Sequence, residues 1–260
     1  MDLQPIYIFS GLLVGFIVGL TGVGGGSLMT PILLYFGISP SHAVGTDLLY
    51  AAITKSGGVY VHSKKRNIDW RMTGLLAIGS LPASAITLYI LHFGGFDIAK
   101  VNIFIKVTLG YALVFTSLAI LFKKKLVEYA HRNDVWVTRM SPREQINMTI
   151  LTGVILGTVV TITSIGAGAI GTVALFLLYP LLPTSRLVGT EIAHAVPLTL
   201  LAGLGHAGAG AIDWPLLGNL LIGSLPGIYV GSHLANSVAD HYLRPALAGM
   251  LLFVGAKLVM

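Results

Sequence analysis

The stretch from Met72 to His92, MTGLLAIGSLPASAITLYILH, contains no Asp, Glu, Lys or Arg. A bilayer-crossing helix needs about 20 predominantly apolar residues, so this stretch reads as one crossing. Comparable runs flank it at roughly 5–21, 27–38, 42–62 and 98–122. They resume at 146–163, 168–182, 186–209, 215–235 and 240–259. The 260-residue chain is 55% hydrophobic and only 10% charged. A soluble domain carries about 25% charged residues, so part of this chain's solvent must be lipid. Its 32 glycines suit membrane helices, where small residues let backbones approach. The runs are too long for barrel strands and lack their alternation. The expected fold is an all-α polytopic membrane protein.

The same stretch shows a duplication. Gly79-Ser80-Leu81-Pro82 recurs as Gly223-Ser224-Leu225-Pro226, Ile68-Asp69-Trp70 as Ile212-Asp213-Trp214, and Gly45-Thr46-Asp47 as Gly189-Thr190-Glu191. All are offset by 144, and 14 of the 38 positions in 45–82 match their partners in 189–226. Upstream the offset is 142, where Gly11, Gly15, Gly24 and Gly26 meet Gly153, Gly157, Gly166 and Gly168. A two-residue insertion near Tyr179-Pro180 accounts for the change. The chain thus divides into a first transmembrane repeat at 1–122, a polar connecting loop at 123–145 and a second repeat at 146–260.

Charge orients the repeats. Lys64, Lys65, Arg66 and Arg71 follow the third run. Lys123, Lys124, Lys125, Arg132, Arg139 and Arg143 lie in the connecting segment. These ten of the sixteen basic residues mark cytoplasmic loops, since positive charge is retained inside. The segment His206–Pro215 has no Lys or Arg and is expected outside. Five runs per half, an odd number, make the repeats inverted, a common transporter plan. Both termini then lie outside. The opening Met-Asp-Leu-Gln-Pro lacks a basic region, so the first run is expected to be retained. The net charge of +6 is explained by loop placement, and no nucleic-acid partner is expected. With no cysteine, disulfides, thiolate catalysis and zinc–thiolate sites are excluded. No metal site or cofactor is indicated.

Two constellations carry chemistry. The first is Thr21-Gly22-Val23-Gly24-Gly25-Gly26-Ser27 with its partner Thr163-Ser164-Ile165-Gly166-Ala167-Gly168, each followed by a short apolar run. Glycine breaks free backbone groups that lipid cannot satisfy, so they must be buried in protein or line a cavity. A helix restarting there aims N–H groups at the cavity, which suits an anion. Gly24, Gly25, Gly26, Ser27, Ser164, Gly166 and Gly168 are therefore candidate substrate-binding residues. Close helix packing is the plainer reading of such glycines, and it is preferred for Gly11, Gly15 and Gly19.

The second is the Gly-Thr-acid pair. Asp47 and Glu191 fall inside apolar runs, where ionisable groups are costly and usually work. They are candidate proton carriers, or else structural groups that bond a neighbouring helix. His194, one turn after Glu191, is a candidate proton relay. Thr46, Thr190 and Lys55 join the substrate-binding set. Lys55 lies too deep to reach an interface, and its repeat position is Thr199, so its role is asymmetric. His62 and His206 are expected at boundaries, Arg186 at the interface. Asp69 and Asp213 are expected as helix caps.

The glycine break at 21–27, Ala-Val-Gly-Thr at 43–46, the Ile-Asp-Trp segments and the Gly-Ser-Leu-Pro repeats resemble the sulfite exporter TauE/SafE family. The resemblance spans nearly the whole chain. It implies a bacterial inner-membrane permease that exports small sulfur-containing or organic anions such as sulfite or a sulfonate. The glycine breaks and Gly-Thr pairs would line its path. Enzyme motifs such as His-Glu-x-x-His and Gly-x-Ser-x-Gly are missing. A membrane-embedded enzyme using Glu191 and His194, and a passive anion channel, remain the alternatives to a proton-coupled transporter.

Overall fold

The computed structural model describes residues 3–21, 26–132, 140–234 and 240–259. Among them lie ten helices: α1 (Pro5–Thr21), α2 (Gly26–Tyr35), α3 (Pro40–Lys64), α4 (Trp70–Phe93), α5 (Ile98–Arg132), α6 (Pro142–Thr163), α7 (Ala169–Leu178), α8 (Thr184–Gly208), α9 (Trp214–Leu234) and α10 (Asp240–Val259). They coincide with the ten apolar runs to within a few residues. The exception is the connecting segment 123–145, which is not wholly loop. Helix α5 continues through it to Arg132, and α6 begins at Pro142. At ~1.5 Å per residue, the 35 residues of α5 reach about 50 Å, well beyond a ~30 Å hydrocarbon core.

Local chemistry sets the helix ends. Asp69 Oδ1 accepts from Met72 N at 3.1 Å, and Asp213 Oδ1 accepts from Leu216 N at 2.9 Å, as capping residues do. Ser141 and Glu144 form a reciprocal capping box ahead of α6, with Pro142 in the first turn. Helix α3 ends with Arg66 at φ 53°, and the repeat-related end of α8 has Gly210 at φ 74°.

An apolar core is joined inside by many polar side chains, while large apolar side chains also cover the exterior. Thr46, Asp47, Ser80, Ser84, Thr161, Thr190, His194 and His206 are all fully buried. Outside, Phe9 is 63% exposed, Ile86 60%, Phe115 64% and Phe253 71%. An apolar exterior of this extent is unfavourable in water and natural in lipid. Helix α4, the Ile98–Phe122 part of α5, α6 and α8 are each long and apolar enough to cross a bilayer.

Packing is by exchange between the halves. Helix α1 lies along α9, and its repeat partner α6 lies along α4. Gly11 and Gly15 meet the backbone of Leu220 and Ser224, while Gly153 and Gly157 meet that of Leu76 and Ser80. From the other side, Gly223 faces Ile8 and Gly79 faces Ile150. A β-carbon at any of these glycines would collide with backbone, which explains the expected packing role. Helices α3 and α8 pair with each other at the centre, as do α5 and α10. The α1–α9 seam thus recurs as the α4–α6 seam with the two copies interchanged.

Candidate functional site

The site lies where central helices α3 and α8 meet the break between α6 and α7. The break needs unusual backbone: Ser164 is left-handed at φ 58°, and Gly166 and Gly168 have φ 118° and 147°. Gly166 and Gly168 supply conformations that side-chain-bearing residues rarely adopt. Thr163 steadies the turn, its Oγ1 accepting from Ile165 N at 3.1 Å. Helix α7 then restarts at Ala169.

Asp47 and Glu191 are each the eighth residue of their helix, about 10 Å along it at ~1.5 Å per residue. Both are fully buried, and each engages the short helix of its own repeat. Thr30 of α2 donates its hydroxyl to Asp47 Oδ2. The Glu191 side chain lies against Gly171 in the first turn of α7. The helix start expected to receive an anion therefore has a carboxyl group of the protein beside it. The other oxygen of each acid, Asp47 Oδ1 and Glu191 Oε1, is buried without a hydrogen-bond partner.

Lys55 links the repeats. It is 7% exposed, and its Nζ donates to Ala167 O in the break, at 2.5 Å. Its charge acts on Asp47, Glu191 and His194, without a direct ion pair to either carboxylate among the described residues. His194 is fully buried. Its Nε2 is 2.8 Å from Ser80 Oγ on α4, and its Nδ1 has no partner. The hydroxyl of Ser164 faces Asp47.

The structure thus brings together Asp47, Lys55, Ser164, Gly168, Glu191 and His194, with Gly166 in the same break. Thr46 and Thr190 are committed elsewhere. Thr46 Oγ1 accepts from Asp213 N at 3.1 Å, and Thr190 Oγ1 accepts from Asp69 N at 2.9 Å while donating to Arg186 O. Gly24 and Gly25 lie outside the described residues. Gly26 and Ser27 open α2, which is all that is described of them.

His206 departs from expectation in its burial. It stands in the last turn of α8, at the end of its run as expected, but it is fully buried, with Nε2 3.0 Å from Thr161 O and its ring edge-on to His92 at 5.0 Å. Its partners lie on other helices and leave no trace in local sequence. Arg186 makes an ion pair with Asp69 at 2.9 Å rather than standing free. Thr30 and Ser80 belong to the site but were not among the sequence candidates. A signal existed: Thr30 recurs as Thr172, and Ser80 sits in the repeated Gly-Ser-Leu-Pro.

An apolar exterior, spanning helices and a charged interior built around a broken helix define a multi-pass helical membrane protein. The sulfite exporter TauE/SafE family model matches residues 7–258, and the chain belongs to that family. It is 41% identical over 254 residues to the probable membrane transporter protein YjnA of Bacillus subtilis, covering 97% of this chain and 98% of that one. It is 28% identical to YdhB of the same organism, over 92% of this chain and 96% of that one. A probable membrane transporter protein of Xylella fastidiosa is 26% identical, over 92% and 88%. No solved structure matches the chain.

Proposed function

We propose that this chain is a proton-coupled secondary transporter of a small anion, an exporter of a sulfur-containing or organic anion such as sulfite or a sulfonate that leaves down its own gradient. The observation that carries the reading is the buried Lys55 amine, bonded to the carbonyl of a helix break, with a buried carboxyl group from each repeat in its electrostatic surroundings. Isolated buried charge is expensive, and inside a membrane it marks a pathway more often than a scaffold. Family membership and the relatives' names as membrane transporters support the same class.

In this reading the two repeats face opposite ways across a bacterial inner membrane, with 123–145 and the 64–71 turn in the cytoplasm. One set of helices moves against the other to expose the site alternately. Lys55, the Gly166–Gly168 backbone and Ser164 receive the anion. Asp47 and Glu191 carry protons, and His194 relays them. No nucleotide-binding motif supplies another energy source.

The test is counterflow of radiolabelled anions in proteoliposomes. Saturable, trans-stimulated uptake of sulfite or methanesulfonate is expected, and Lys55→Gln reduces it to the level of empty liposomes. Undiminished saturable uptake in that variant would remove Lys55 from the mechanism.

A further inference from the structure

The interior charges, counted together, restrict what the site can carry. The groups around Lys55 are Asp47 on its own helix and Glu191 and His194 on α8. Helix α3 also packs on α2, α5, α6 and α9. Of the charged residues of α5, Lys100 and Lys106 are exposed and do not face it. His206 and His92 lie beyond, engaged with Thr161 and with each other. A second buried cation beside Lys55 would be repelled, so His194 counts as neutral. Lys55, which donates to Ala167 O, is counted as an ammonium.

Net buried charge is strongly disfavoured, so the occupied states are the near-neutral ones. With no substrate, neutrality requires one carboxylate against Lys55 and one carboxylic acid. With a monoanion bound, it requires both acids to be protonated. A dianion would leave an uncompensated charge in either case. The geometry gives the switch a physical form. Glu191 lies against Gly171 in the first turn of α7, and protonating it removes the negative charge that would repel an anion from that helix start. The free oxygens Asp47 Oδ1 and Glu191 Oε1 are buried acceptors that, once protonated, become donors to the substrate.

We propose that the site binds monoanions, one proton being taken up by the Asp47–Glu191 pair for each anion bound, so that a transport cycle is electroneutral. The inference rests on the anion-transport reading and adds charge selection and stoichiometry to it. The proton balances: the neutral empty site plus one anion and one proton gives a neutral loaded site, and release on the far side returns both.

The experiment measures anion and proton uptake together in proteoliposomes, with the membrane potential set by potassium and valinomycin. The probes are methanesulfonate, sulfate and sulfite. The expected result is one proton per methanesulfonate, a rate that does not respond to potential, and at least tenfold slower sulfate entry. Sulfite uptake should rise as the outside is acidified and bisulfite accumulates. Asp47→Asn and Glu191→Gln, taken singly, should each keep the coupling of one proton per anion, because one acid remains to be protonated. The double variant should transport without protons and respond to potential. Wild-type flux that moves net charge, or sulfate carried as fast as methanesulfonate, overturns this inference while leaving anion transport standing. No saturable flux of any probe overturns both readings. The wild-type arm decides even if the double variant fails to fold.

Discussion

The hydroxyl of Thr190 accepts the backbone N–H of Asp69 at 2.9 Å, tying the centre of the second repeat to the first turn of α4. Thr46 does the same for Asp213 at 3.1 Å. Each bond satisfies a part-buried donor at a helix start, so Thr190→Val should leave that N–H without its partner at a cost of about 1 kcal/mol. Thermal unfolding in detergent should fall for this variant and for Thr46→Val. The anion concentration giving half-maximal uptake should stay unchanged in both, and a large rise in it would return these residues to the binding site.

Gly157 presses against the backbone of Ser80, and Gly15 against that of Ser224. Gly157→Val and Gly15→Val should each separate a helix pair and cost at least the ~1–3 kcal/mol typical of overpacked cores. Gly74 supplies the control, because a β-carbon there meets nothing. Gly74→Ala should be neutral or stabilising by up to ~1 kcal/mol. Melting temperature by intrinsic fluorescence separates the two classes. Equal behaviour of all three would contradict the close seams.

Arg66 holds the left-handed position that Gly210 holds in the other repeat. The same backbone bonds surround both: Asn67 N to His62 O and Ala211 N to His206 O, each 2.9 Å. A left-handed conformation costs a non-glycine residue roughly 1–2 kcal/mol, so Arg66→Gly should raise the melting temperature. Gly210→Arg should lower it. Unchanged stability in both would mean the turns relax freely.

Ser80 is the only described partner of the His194 ring, at 2.8 Å. In Ser80→Ala the imidazole loses its orientation and has both nitrogens unpaired. Uptake driven by a proton gradient should drop severalfold, with a stability loss of about 1–3 kcal/mol. If gradient-driven uptake matches the wild type at equal expression, His194 is structural and not a relay.

The helices were legible because lipid imposes length and apolarity on every crossing, and the duplication was legible because Ile-Asp-Trp and Gly-Ser-Leu-Pro keep one register. Asp47, Lys55, Glu191 and His194 announced themselves as ionisable groups in apolar runs, and the structure places them together. Thr46 and Thr190 looked like ligands because the Gly-Thr pair is duplicated. What is repeated is instead a hydrogen bond between the halves, whose partner lies more than 100 residues away. Ala167 O could not be read at all: a backbone carbonyl has no identity in a sequence, and only the fold brings it to Lys55.

The exchange of α1 and α6 between halves has a consequence for synthesis. As the polypeptide leaves the ribosome, α1 enters the bilayer with its glycine groove uncovered, and the matching surface of α9 is not made until residues near 220 have been translated. Until then the nascent intermediate has a helix without its mate. Expressed separately, either half should be degraded by membrane proteases, whereas both halves produced together should rescue one another.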